Sequence, residues 1–277
     1  MIREKDIFSR NELLIGTEAM NKISKSSVIL FGLGGVGSWC AESLIRSGIG
    51  HLTIVDSDYI STTNINRQLP TTTDTIGQAK TDVLKMRLLS INPHADITAL
   101  QATYTEASND LFGLATYDYI VDAIDSLEHK TSLILNATRT NAILFSSMGA
   151  ALKLDASRIQ TAEFWEIRGC PLAAALRRRF KKGDMPAKKF NCVYSNEALE
   201  NKGFPPASSP NQSRCKHSNE ALEDTNQSEW DERKARINGA MVHITAIFGF
   251  TLSGLLIQDI VKKNSWAAAV NAMTEPK

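Results

Sequence analysis

A glycine loop and a small set of polar side chains carry the chemistry of this sequence. Gly32-Leu33-Gly34-Gly35-Val36-Gly37 follows four apolar residues, Val28 to Phe31, and runs into a segment beginning Ser38-Trp39. This is the order strand, glycine loop, helix. Gly32 permits a tight turn off the strand, Gly34 lets a phosphate approach the backbone, and Gly37 lets helix and strand pack closely. Loop N–H groups and the positive helix end then attract an anion. Asp56 lies about twenty residues on, after His51 to Val55, where a carboxylate holds ribose hydroxyls. Asp58 follows it, and then come Asn64, Asn66, Arg67 and Gln68. An arginine grips phosphate oxygens bidentately, and the amides can hydrogen-bond phosphate or position metal-bound water. Lys80 and Asp125 complete the set. A plain dinucleotide site has no use for Arg67, whereas a triphosphate site gains from it.

These residues need elements to hold them. The chain has 277 residues, 43% of them hydrophobic and 22% charged, with a formal net charge of +1. That suits one large α/β domain over 1–277. A nucleic-acid partner would need a local basic patch rather than a basic whole. Four scattered cysteines, with no C-x-x-C, argue against a disulfide framework and against a four-cysteine zinc site. The N-terminus has no apolar signal core. Polar residues interrupt the apolar stretch Ile237 to Val261, which speaks against a membrane span. The expectation is a cytoplasmic protein with no membrane partner.

Along the chain, Asp6 to Ile23 reads as a helix or arm ahead of the sheet. A helix opens at Ile76-Gly77-Gln78-Ala79-Lys80 and stops at Asn92-Pro93, with Gly77 and Lys80 in its first turn. Ile97 to Leu100 is a strand, Thr105 to Leu111 a connecting helix, and Tyr117 to Asp125 a strand ending in two acids. In an open parallel sheet, ligands bind at the carboxyl ends of strands, so Asp125 can hold magnesium or a nucleotide hydroxyl. The alternative is the N-cap of the helix starting at Leu127, but the glycines, Arg67 and Lys80 converge with Asp125 and favour function; the helix itself reads from Glu128 to Asn141. Ile143 to Ser147 is a strand, Ile159 to Trp165 an added antiparallel one, and Asn191 to Ser195 another short one. The resulting class is α/β, Rossmann-like: a mostly parallel sheet with flanking helices and an antiparallel extension.

The remainder is less regular. Pro171 to Arg179 is an amphipathic helix inside a basic segment, 168–189, where Arg168, Arg177, Arg178, Arg179, Lys181, Lys182, Lys188 and Lys189 face one acid, Asp184. Such a patch suits a phosphate backbone or a solvated face equally. Residues 202–236 form a polar insert, read as a loop or crossover. Ser195 to Glu200 recurs as Ser218 to Glu223, a repeat with no physical account. Ile237 to Lys263 closes the domain as an apolar helix, broken near Gly249.

The runs FGLGGVGSW, VDSDYISTTNINRQL, IGQAK and VDAID resemble the ThiF/MoeB superfamily of adenylating proteins related to ubiquitin activation. The opening FSRNELLIG, with RSGIGHLTIVD, CPLAAALRRRFKK and CVYSNEAL, is similar to the tRNA threonylcarbamoyladenosine dehydratases of the TcdA (CsdL) type. That resemblance implies ATP-dependent activation of the threonylcarbamoyl-adenosine carboxylate in tRNA, followed by ring closure, with ATP and Mg2+ required. It implies that Gly32, Gly34, Gly35 and Gly37 form the phosphate loop, that Asp56 holds ribose, and that Asn64, Arg67 and Lys80 stabilise the triphosphate. By the same resemblance Asp125 lies near the metal, and Arg10 reaches across a homodimer into the partner's site. A sulfur-relay protein is a further partner. Paired C-x-x-C zinc ligands, typical of the ThiF and MoeB branches, are absent here, which disfavours activation of a ubiquitin-like sulfur carrier. Cys192 is a nucleophile, a sulfur acceptor or a small apolar strand residue. An NAD-linked oxidoreductase and a non-catalytic nucleotide scaffold are the readings from other classes.

Overall fold

The computed structural model describes residues 4–203 and 238–274. Seven strands form one sheet: β1 (Ser27–Phe31), β2 (His51–Val55), β3 (Asp96–Leu100), β4 (Tyr119–Asp122), β5 (Ile143–Ser147), β6 (Ile159–Glu163) and β7 (Asn191–Ser195). Their spatial order is β3-β2-β1-β4-β5-β7-β6. Every neighbouring pair is parallel except β6 with β7, the antiparallel extension expected from the sequence.

The central strand β1 shows why the sheet is covered on both faces. Val28 and Leu30 point into one apolar cluster, Ile29 and Phe31 into the other, and all four are buried. A strand buried on both faces reads as a continuous apolar run rather than an alternating one. The first cluster takes Leu44 and Ile45 from α4 (Gly37–Arg46), Leu84 and Leu88 from α5 (Lys80–Ile91), and Ile244, Phe248 and Leu252 from the long C-terminal helix Val242–Thr274. The second takes Leu133 and Ile134 from α6 (Leu127–Arg139), and Leu172 and Leu176 from α7 (Pro171–Lys182).

Several expectations change. The N-terminal arm is three short helices, α1 (Glu4–Ile7), α2 (Ser9–Ile15) and α3 (Thr17–Lys25). Gly16, at φ +83°, separates the last two. Residues 105–111 form turns leading into a 3-10 helix, Asn109–Phe112, instead of a connecting α-helix. Gly77 also has φ +83° and sits in the turn before α5, so the helix begins at Lys80 itself. The C-terminal helix, α8, is not broken at Gly249. A Cβ there would lie 2.5 Å from the Val36 carbonyl oxygen; the glycine lets α8 press against the start of α4. By length and composition Val242–Lys263 is long and apolar enough to cross a membrane, but half of its apolar window is buried inside the fold. Ile244, Phe248, Leu252, Leu256 and Ile260 recur at helical spacing on the face packed into the core. Residues 204–236 of the insert, Cys215 and the second copy of the six-residue repeat lie outside the described residues.

Glu42 locks α4 to α5. Its carboxylate accepts Arg46 Nε at 2.9 Å and Arg87 Nε and Nη2 at 2.6 and 3.0 Å. Burial pushes its pKa up, but the hydrogen bonds and charges of Arg87 and Arg46 outweigh this and hold it below the ordinary carboxylate range. A depressed folded pKa contributes stability above the unfolded value, lost as pH falls through the folded one. Glu42→Gln is expected to cost about 1.5–3 kcal/mol at neutral pH, with the gap to the parent closing below pH ~4. Urea denaturation at both pH values checks this. An equal gap at both would remove the ionic account.

Candidate active site

Three strand ends supply the site. Gly32 follows β1, Asp56 follows β2, and Asp125 lies three residues past the end of β4. The chain leaves β1 for β2 on one side and returns through β4 on the other, so the crevice is a topological switch point.

The glycine loop takes its shape from close approaches. Gly32, at φ +88°, would place a Cβ 2.7 Å from the Ala123 carbonyl oxygen. A Cβ on Gly37 would lie 1.8 Å from the Gly32 oxygen, while one on Gly34 would meet only Gln68 Nε2 at 3.9 Å. Gly34 is thus the open position and Gly37 the packed one. Gly35 fits beneath Thr245 and the Arg67 stem, where an added Cβ would lie 3.1 Å from Thr245 Cβ and 3.2 Å from Arg67 Cγ. Val36, the N-cap of α4, makes no side-chain capping bond. The first-turn N–H groups of α4 therefore receive no side-chain cap from it.

Asp56 has a backbone partner at each carboxylate oxygen. Its Oδ2 accepts the Leu33 N–H at 2.6 Å and its Oδ1 the Asp58 N–H at 2.8 Å. It ties the glycine loop to the turn after β2, and a carboxylate has lone pairs left for hydroxyls. Lys80 is buried at the start of α5. Its Nζ lies 2.7 Å from Asp58 Oδ2 and 3.8 Å from Asp56 Oδ1. The ammonium is therefore held at the glycine loop's acidic anchor, not on a helix surface.

Arg67 donates from Nη1 to the Thr63 carbonyl and to Asn66 Oδ1, both at 2.9 Å, and its own carbonyl accepts Trp39 Nε1 at 3.0 Å. Burial pushes the guanidinium pKa below its ordinary value, and the charge of Asp125 offsets part of that. Arg67 and Asp125 thus belong to one electrostatic unit. Asp125 is exposed, and the N-cap of α6 is the next residue, Ser126. Asn64 Oδ1 accepts the Ser61 N–H, closing a capping box on the 3-10 turn Thr62–Asn64.

Arg10 stands apart. It is exposed on α2, where its neighbour Asn11 bonds the Arg46 carbonyl at the far end of α4 from the glycine loop. That helix spans about 15 Å, so one chain does not bring Arg10 to its own site. Cys192 is buried, and burial pushes its thiol pKa far up, which makes it a packing residue and not a nucleophile.

The basic segment divides. Arg168 donates to the carbonyls of Trp165 and Ile167, Arg177 to that of Phe164 while lying over its ring, and Lys188 to those of Thr140 and Ala142. Arg178, Lys181, Lys182 and Lys189 remain exposed.

The surroundings of two polar residues are not marked by residue type and spacing. Gln68, one of the candidate amides, is buried beside Gly34 with its Oε1 unpartnered. Asp122, the first of the two acids after Tyr119, is fully buried against Lys130, a pairing across eight residues that no local pattern announces.

The ThiF family matches residues 8–274. A tRNA threonylcarbamoyladenosine dehydratase of Bacillus subtilis is 39% identical over 191 residues, covering 69% of this chain and 75% of that protein. One of Haemophilus influenzae is 32% identical over 259 residues, covering 90% of each. The structure of Escherichia coli tRNA N6-threonylcarbamoyladenosine dehydratase, TcdA, in complex with ATP aligns with a TM-score of 0.79 at 28% identity, covering 96% of this chain and 98% of that one. From motif, architecture and these matches alike, the chain belongs to the ThiF family.

Proposed function

We propose that the protein is an ATP-dependent dehydratase of N6-threonylcarbamoyladenosine in tRNA, built as a single adenylation domain over 1–277. The observation that carries this is the gathering of the glycine loop, Asp56, Lys80 and the Arg67–Asp125 unit at one switch point, in a chain similar to dehydratases over most of its length. The substrate carboxylate attacks the α-phosphorus of ATP, and pyrophosphate leaves. A nucleophile within the same modification then attacks the acyl carbon and displaces AMP, closing the ring. The net change in the nucleoside is loss of one water. A carboxylate oxygen is a poor leaving group, and AMP is a good one.

The side chains take distinct roles. Gly32, Gly34, Gly35 and Gly37 shape the phosphate loop. Asp56 accepts ribose hydroxyls while holding Leu33, and Asp58 orients Lys80. Lys80, Arg67 and the Asn64 amide balance the charge that grows on departing pyrophosphate. Mg2+ suits a site that offers one exposed carboxylate beside the glycine loop, because magnesium is commonly held by one or two carboxylates plus substrate phosphates. Asp125 is that carboxylate. Bound magnesium would neutralise phosphate charge.

A homodimer completes the site. Helix α2 buries none of its residues, and Leu13 and Leu14 stand 88% and 84% exposed beside Arg10. Covering them with a second copy would carry Arg10 to the partner's nucleotide. Light scattering returning a monomer at working concentration would count against this. A tRNA substrate places the reaction in the cytoplasm, away from membranes. Among the described residues the cysteines Cys40, Cys170 and Cys192 are buried, so none of these three offers a thiol to a sulfur-relay partner.

The exposed cations of α7 are the tRNA backbone contact. Arg178→Glu with Lys181→Glu is expected to weaken tRNA binding and to lower the slope of log K against log salt by about 1 per lost contact. A filter-binding titration with an unchanged slope would move the tRNA elsewhere.

Nucleotide choice is tested by thermal unfolding. ATP with magnesium at a hundred times Kd stabilises by ~2.7 kcal/mol, a rise of roughly 5–10 °C for a domain of this size. NAD should leave Tm unchanged. The reverse pattern would return the oxidoreductase reading.

A further inference from the structure

We infer that the buried Asp122–Lys130 ion pair is a positioning device that fixes the loop carrying Asp125. This rests on the role proposed above for Asp125. Both side chains are fully buried, with Lys130 Nζ 2.7 Å from Asp122 Oδ2. Together they clamp the two backbone polar groups of Ile124, the residue before Asp125. Asp122 Oδ1 accepts the Ile124 N–H at 3.0 Å, and Lys130 Nζ donates to the Ile124 carbonyl at 2.9 Å. Ser146 of β5 donates to Asp122 Oδ2 at 2.7 Å and holds the carboxylate from the other side.

The rest of the loop is tied as firmly. The Ala123 N–H reaches the Phe31 carbonyl at 2.8 Å, and the Lys130 N–H reaches the Ser126 carbonyl at 2.9 Å. Gly32 abuts the Ala123 oxygen. The glycine loop and the Asp125 loop therefore share one frame, and Asp125 is the residue between clamped neighbours.

Stability does not account for the pair. Desolvating two charges offsets most of their attraction, and well-packed apolar residues in such places are often as stable or more so. Ile120, Leu133, Ile134 and Ala137, on the same two elements, are apolar and buried. What the charges add is a donor and an acceptor, aimed at the two backbone polar groups of the one residue that an apolar pair would leave loose.

The test pairs Asp122→Asn with Lys130→Met. Their combination removes both charges, so neither is stranded, and it removes the donor to the Ile124 carbonyl. Thermal melting confirms that the variant is folded. Its kcat for ATP-dependent dehydration of threonylcarbamoyl-adenosine tRNA is expected to fall about 10- to 100-fold, as with lost supports of metal-ligating residues. KM for ATP should stay within about twofold, because no residue of the phosphate loop is changed and Asp56 still holds it through Leu33. Made on top of Asp125→Asn, the same pair of changes should cost little more, since what they position is already disabled. If the folded variant is fully active, or loses the same factor in both backgrounds, the inference is overturned. If Asp125→Asn alone leaves turnover intact, the Asp125 role falls and this inference with it. Should the combination fail to fold, Ser146→Ala carries the same cycle with a smaller loss, about fivefold.

Discussion

Lys80→Ala is expected to lower the rate of ATP-dependent dehydration by about 10²–10³-fold, the usual cost of removing one preorganised charge donor from a reacting centre. Lys80 is buried at the first turn of α5, held by Asp58 at 2.7 Å beside Asp56. Its stem is enclosed, so few rotamers remain to be frozen when a triphosphate arrives. Charge on the leaving pyrophosphate grows as the bond to the α-phosphorus stretches, and a fixed ammonium is worth most at that moment. The loss should therefore fall on kcat more than on KM for ATP. Removing the lysine also leaves Asp56 and Asp58 as like charges near an anion. The further substitution Asp58→Asn should recover part of ATP binding but not of kcat. Steady-state kinetics on both variants decides, and a Lys80→Ala enzyme with unchanged kcat would take Lys80 out of the reaction.

Gly37→Ala has the largest expected effect on the fold. Its methyl group would lie 1.8 Å from the Gly32 oxygen and 3.0 Å from the Gly32 carbon. Both obstacles are backbone, so no rotamer change relieves them. Either α4 moves away from β1 or the glycine loop opens, and each breaks packing on α8, which touches the start of α4 through Gly249. A cost of more than about 4 kcal/mol follows, in the exceptional range for one substitution. Gly34→Ala is the contrast. Its methyl group meets only the end of the Gln68 side chain at 3.9 Å, so the protein should melt as the parent does. Its loss should appear in ATP affinity alone, since the methyl group occupies the approach of the phosphate. Calorimetry and ATP titration separate the two. A stable Gly37→Ala variant, or a Gly34→Ala variant with parental ATP affinity, would contradict the division of labour in the loop.

Much of this frame is legible in the sequence because it is local. Val28 to Gly37 holds strand, turn and helix start within ten residues, with Gly32 at the turn and Gly37 at the tight packing that their positions imply. The switch-point crevice follows from strands separated by helical crossovers. The antiparallel edge strand Ile159–Glu163 announces itself by partial alternation. What is not legible depends on partners distant in sequence. Gly249 reads as a helix breaker because nothing in its neighbours shows that α4 presses on it. Gly77 reads as helical because an apolar period continues around it, whereas its φ of +83° requires a turn. The two acids after Tyr119 look alike in sequence, yet Lys130 and Ser146 bury Asp122 and leave Asp125 exposed. Asp56 and Asp58 meet Lys80 only once α5 is laid against the turn after β2. The basic segment shows the same limit: charge can be counted from sequence, but which arginines are spent on backbone carbonyls cannot.

The central claim is tested most directly on the nucleoside itself. Transfer RNA bearing N6-threonylcarbamoyladenosine is incubated with the full chain, ATP and magnesium, digested, and weighed by mass spectrometry. The account predicts loss of one water from the modified nucleoside, with ATP converted to AMP and pyrophosphate, and neither change in the absence of ATP. An unchanged nucleoside, from protein that binds ATP normally, would contradict it.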